Sequence, residues 1–179
     1  MNYIKKTITI LLLANFFACK AQINSNINGQ TYSFDTIRLE NVRLGGELLN
    51  NITVSGLQSL IGEPNTVSTY YEEDFGFDVT VVKYSNAVFE FNENEQLIAF
   101  RNSSSEIPIT INGVDYYVNG AFESLQASYP SSYQNRMLGG IVMFIEHNNA
   151  GTYIVSDDTI DFKVNTQMNK ITSINMYFK

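Results

Sequence analysis

The chain has one imidazole, His147, and one thiol, Cys19, for any acid–base or nucleophilic chemistry. His147 stands beside Asn148, Asn149, Ala150 and Gly151, a run that reads as a turn. The expectation is a solvated loop histidine, because a Ser-His-Asp arrangement needs the ring held between buried partners. One histidine without a cysteine pair offers no zinc-ligand spacing. The acidic run Glu72-Glu73-Asp74-Phe75-Gly76-Phe77-Asp78 has oxygens that calcium favours, yet it lacks the alternating Asp/Asn ligands and distal Glu of a calcium loop. Asp157-Asp158 reads as a hairpin turn. A carboxylate pair that cleaves sugars works in a cleft usually lined by stacked Trp, and Trp is absent. Gly45-Gly46 and Gly139-Gly140 lack the surroundings of a phosphate-binding loop. The expectation is a protein with no catalytic residue, no metal and no cofactor. What remains is recognition. Tyr70, Tyr71, Phe75 and Phe77 flank Glu72, Glu73, Asp74 and Asp78 in what reads as a hairpin tip, and aromatics commonly anchor protein interfaces. These eight residues are the candidate partner-binding site.

Composition narrows the partner. With 44% hydrophobic and 13% aromatic residues in 179, the chain can bury a core, which excludes intrinsic disorder. Eleven basic residues face eighteen acidic ones, for a net charge of −7 without a basic cluster. Such a surface repels phosphate backbones, so nucleic acid is not an expected partner. A protein partner is.

The N-terminus reads as an export signal. Lys5 and Lys6 precede an apolar stretch at 8–17 that ends at small Ala18. Its length falls well short of the ~20 residues that a membrane-spanning helix needs. Residues 1–18 are therefore expected to be a signal peptide and residues 19–35 a polar tether. Loss of Lys5 and Lys6 would take the net charge to about −9. Cys19, after Phe16-Phe17-Ala18, resembles the lipobox of bacterial lipoproteins, which implies acylation of that cysteine and attachment to a membrane. Cleavage near Ala21-Gln22 would instead leave a soluble exported protein. Either way the folded part has no disulfide.

The elements that would hold the acidic–aromatic run appear twice. Gly56-Leu57-Gln58-Ser59-Leu60 matches Ala121-Phe122-Glu123-Ser124-Leu125, and each is followed by a proline, Pro64 or Pro130. A hairpin is expected before each: 36–44 turning at Gly45-Gly46, and 107–111 turning at Asn112-Gly113, where both residues tolerate the positive φ of a type I′ turn. Ser55 with Gln58 fits a capping box, and Gly62 can end that helix. Phe122, Leu125 and Tyr129 form the second helical stripe, closed by Pro130. Strands are expected at 66–71, 79–84, 87–91 and 96–101, and again at 141–146, 152–155, 159–164 and 170–178. Alternation such as Ala87, Phe89 and Phe91 on one face predicts sheets with one buried and one wet side.

Leu57-Gln58-Ser59-Leu60-Ile61-Gly62-Glu63-Pro64 and the two closing hairpins resemble the repeating unit of the beta-lactamase inhibitory protein fold and of the small outer-membrane lipoproteins of the SmpA/OmlA type. The resemblance implies a role in binding proteins or in envelope assembly, without catalysis. The resulting expectation is an α+β fold of two tandem units, 36–105 and 106–179, each a short helix on an antiparallel sheet. Its function would be to bind another macromolecule in the cell envelope as an inhibitor, immunity protein or assembly factor. The alternative is a small-ligand carrier with an aromatic pocket between the units.

Overall fold

Strands carry most of the described residues. The structure is a computed structural model and describes residues 22–27, 30–136 and 140–178. The expected signal segment 1–18 and Cys19 lie outside the described residues. In chain order the strands are β1 (Gln22–Ile27), β2 (Gln30–Arg38), β3 (Val42–Leu44), β4 (Glu47–Leu48), β5 (Thr66–Glu72), β6 (Phe77–Tyr84), β7 (Ala87–Phe91), β8 (Leu97–Asn102), β9 (Ile109–Ile111), β10 (Val114–Tyr116), β11 (Gly140–Asn149), β12 (Thr152–Asn165) and β13 (Lys170–Tyr177). The helices are α1 (Val54–Ile61), α2 (Ser124–Ser128) and α3 (Pro130–Gln134). The fold is thus mixed α and β with sheet dominant.

Nine strands form one open sheet in the order β1-β2-β11-β12-β13-β8-β7-β6-β5, and four form a smaller sheet in the order β10-β9-β3-β4. All pairings are antiparallel except β2 with β11, which is parallel. Period-two alternation decides the layering. Ala87, Phe89 and Phe91 of β7 are buried while Val88 and Glu90 between them are not. Ile160 and Phe162 of β12 join Val42, Leu44, Ile109 and Ile111 of the small sheet, and Leu57 and Leu125 of the helices, in one core. Tyr116 of β10 meets Phe162 edge-on, with ring centroids 5.5 Å apart. Gly45, at φ +57°, allows close packing: a Cβ there would come within 2.8 Å of a Leu60 methyl.

Local signals and the observed elements agree at several points. Asn112 and Gly113 have φ of 52° and 79°, as a type I′ turn requires. Gly62 ends α1 at φ +89°. Other elements differ from expectation. Thr53, not Ser55, caps α1, its Oγ1 accepting the Gly56 N–H at 3.1 Å. Pro130 opens α3 instead of closing a helix, which suits its missing N–H at a first-turn position. Asp157-Asp158 is not a turn: β12 continues through it as a bulge, since β11 pairs on both sides of it, Glu146 with Val155 and Phe144 with Thr159. The described part of the expected tether, 22–27 and 30–35, is sheet. Phe34 and Asp35 in it are buried, and β2 is held by its pairing with β11 more than a hundred residues away.

That last contact also organises a helix. α3 has no side-chain cap of its own. Asp35 Oδ2 accepts the Ser132 N–H at 2.9 Å, and Ser132 Oγ accepts the Asp35 N–H at 2.9 Å. A carboxylate on β2 thus satisfies a first-turn donor of a helix distant in sequence. Tyr129, just before α3, is buried and accepts a hydrogen bond from Asn112 Nδ2 at 3.2 Å. Burial first, then Tyr116 and Asp35, hold its phenol well above the ordinary 10.0, against a lowering by Asn112. The folded state keeps this proton where the unfolded chain loses it. The associated stability is full below about pH 10 and falls as pH rises from there toward the higher folded value. Urea unfolding of Tyr129→Phe between about pH 8 and pH 11 should therefore show a shallower loss of stability than the parent.

Candidate functional site

The acidic–aromatic run forms the β5–β6 hairpin, and the strand period divides it between two faces. Tyr71 pairs with Asp78 and Tyr70 with Val79. Adjacent strand residues point to opposite sides, so Tyr70 and Tyr71 cannot share a surface. Tyr70 lies with Ser68 on the side facing away from the small sheet, among the lining of a groove. Tyr71 and Asp78, both exposed, belong to the other side. Glu73 and Asp74 are exposed in the turn, Glu72 is half-buried, and Gly76 N–H donates to the Glu72 carbonyl at 2.8 Å. At the tip Phe75 and Phe77 stack, with centroids 5.6 Å apart and planes 11° from parallel. Of the eight predicted residues, the fold places Tyr70 at the groove and pairs Phe75 with Phe77. It does not gather them into one patch.

The groove has a volume of about 460 Å³ and runs across the outer face of β5, β6, β7, β8 and β13. Val81, Val88 and Ala99 contribute apolar lining, Tyr70 and Tyr177 aromatic lining, and Lys83, Arg101 and Glu90 its charge. Register explains the grouping. Lys83 pairs with Val88 and Val88 with Arg101, so two cations flank one valine on a single cross-strand row. Neither cation has a carboxylate within 4.0 Å among the described residues. Burial first, then the charges of Glu90 and Glu72, raise the Tyr70 phenol above its usual value. Sequence reasoning missed Lys83, Glu90, Arg101 and Tyr177. The signal was present: each alternates with a core residue (Val82, Phe89, Phe100, Met176), which assigns it to the wet face.

Further along the same face, β12 and β13 place Asp161 opposite Asn175, both buried. Asp161 is ion-paired with Lys163. Gly140 leaves room for it, since a Cβ there would meet Asp161 Oδ1 at 2.6 Å. At the end of these strands Glu146 accepts a hydrogen bond from Thr36 and lies 3.7 Å from Arg38, whose guanidinium sits 3.8 Å over the Tyr153 ring.

His147 is not in a loop. It lies in β11, half-buried, with Nε2 at 2.6 Å from Asp158 Oδ2. Ser156 Oγ donates to the same Asp158 oxygen at 2.8 Å. The order is therefore imidazole–carboxylate–hydroxyl, with the carboxylate in the middle. In a nucleophilic triad the imidazole stands between the other two and takes the hydroxyl proton. Here the hydroxyl faces the carboxylate and the Ile145 carbonyl, not the imidazole. Among the described residues no group of three or more His, Cys, Asp or Glu is placed to hold a metal ion.

Comparison with known proteins adds little. No family model matches the chain, and no curated protein matches it. Among solved structures, an extracellular protein containing a SCP domain from Bacillus anthracis str. Ames is similar at 10% identity with a TM-score of 0.34. That match covers 71% of this chain and 43% of the other, so this chain spans less than half the length of that neighbour. No helix among the described residues is long and apolar enough to cross a membrane.

Proposed function

We propose that this protein is exported, held at a cell-envelope membrane through an acylated Cys19, and acts without catalysis by binding another macromolecule, as an inhibitor, immunity protein or assembly factor does. The observation that carries the reading is the groove on the outer sheet face. It combines an apolar floor, two tyrosines and two unpaired cations on a rigid scaffold, a composition suited to protein recognition. The exposed Phe75, stacked on the half-buried Phe77, extends that surface to the hairpin tip.

The scaffold is read as two related units, 36–105 and 106–179, of the type the sequence resembles. Two pairings support this. β3 pairs with β9, the leading strands of the two expected hairpins, and β8 pairs with β13, the last strands of the two halves. Both pairings are antiparallel, as a two-fold rotation between matched halves requires. The carrier alternative is less well supported, because the layer between the sheets is filled by side chains such as Phe162, Phe100 and Met176.

The test is affinity capture from envelope extract followed by mass spectrometry. A protein recovered by the parent chain should be lost with Arg101→Glu. It should be weakened when Glu72, Glu73 and Asp74 are reversed in charge. Unchanged recovery with Arg101→Glu would remove the groove from the account.

A further inference from the structure

Strand β5 ends the nine-stranded sheet, and nothing among the described residues pairs with its outer edge. Natural sheets guard such edges with proline, lysine, bulges or brevity. β5 has none of these. Its seven residues, Thr66-Val67-Ser68-Thr69-Tyr70-Tyr71-Glu72, pair with β6 in unbroken register, and the first six are uncharged and exposed. Val67 is 50% exposed and Tyr71 61%, an unusual exposure for the two large apolar side chains on that side of the strand.

We propose that this edge pairs with the same edge of a second copy of the chain, antiparallel and centred on Thr69. That register follows from complementarity. Val67 of one copy opposes Tyr71 of the other, twice, a β-branched–aromatic pair that covers the exposed apolar surface of both. Ser68 opposes Tyr70, and Thr69 opposes Thr69 across the two-fold axis. Thr66 opposes Glu72. Since Thr66 also pairs with Lys83 inside each copy, Lys83 and the second copy's Glu72 fall on one row of one face. Two strand spacings, about 10 Å between their Cα atoms, can be bridged by a Lys and a Glu side chain reaching over a threonine. The two charges therefore meet only in this register. A shift by one residue puts Val67 and Tyr71 opposite different partners and breaks the Lys83–Glu72 row. A seven-residue edge is a small interface, so the association is weak and concentration-dependent.

This association goes beyond the partner-binding reading and fails separately from it, because Thr69 pairs with Thr80 on the side away from the groove. Cys19→Ser removes the one native thiol. In that background Thr69→Cys should form a disulfide-linked dimer on mild oxidation, since directly opposed strand residues lie about 5 Å apart. Ser68→Cys should not, because its own copy would sit about 8 Å away, beyond disulfide reach. Sedimentation at rising concentration should show the parent approaching twice the monomer mass. Thr69→Lys, which sets like charges face to face, should weaken association at least ten-fold while leaving the monomer folded. A parent that stays monomeric, a Thr69→Lys variant that associates like the parent, or Thr69→Cys cross-linking no better than Ser59→Cys on α1 would each overturn the proposal. Capture through the groove is read separately with Arg101→Glu, since Arg101 lies on β8 and takes no part in the edge pairing.

Discussion

Phe162→Ala is expected to lower the free energy of unfolding by about 4 kcal/mol, the largest effect of any single truncation considered for this chain. Phe162 is fully buried in β12 and faces the small sheet, where Tyr116 packs on its ring. Its removal takes away transfer free energy and leaves a cavity between two sheets. Each sheet is held by its own hydrogen-bond ladders, so neither can collapse far to fill the space. Small domains are stable by only about 5–15 kcal/mol, and the loss would shift the denaturant midpoint visibly. Phe75→Ala serves as the comparison. Phe75 is 54% exposed at the hairpin tip, and its truncation should change stability by no more than about 0.5 kcal/mol. Chemical denaturation of both variants checks the claim; equal losses would mean that the two sheets do not share one core.

Asp35→Ala is expected to cost about 3 kcal/mol, almost as much as losing an aromatic from the core. The carboxylate is fully buried and is the acceptor for the Ser132 N–H in the first turn of α3. Alanine would leave that donor unpaired in a dry site, adding a desolvation penalty to the lost cap. Asp35→Asn keeps an acceptor oxygen and should cost clearly less. A double-mutant cycle with Ser132→Ala should show a coupling of about 1 kcal/mol or more, since each residue accepts from the other's backbone. Additive losses would mean the two residues act independently and that β2 does not anchor α3.

The two experiments bear on different levels of legibility. Phe162 was readable as a core residue from the alternation Ile160, Phe162 and Val164 against Asp161 and Lys163. Asp35 was not. It stood in a polar stretch that looked like a tether, and its importance comes from Ser132, ninety-seven positions away. The candidate site divides in the same manner. The hairpin at Glu72–Phe77 was legible as a turn between aromatic strands, but grouping Tyr70 with Tyr71 ignored the strand period. The groove residues Lys83, Glu90 and Arg101 were assignable to a wet face. Their convergence depends on which strands lie side by side.

Sequence by itself determined what is local. Positive-φ turns fall at Asn112-Gly113 and Gly62 because few residues tolerate that backbone. Strand faces follow from a side-chain period of two, and the net charge from composition. Tertiary structure alone decided partnership: that β2 joins β11 in parallel, that β12 continues as a bulge through Asp157 and Asp158, that His147 meets Asp158 in a strand and that Pro130 begins a helix. Backbone hydrogen bonds between strands carry no residue code of their own. Which edges meet is settled by the sum of buried surface over the whole core, a quantity no single stretch of chain contains.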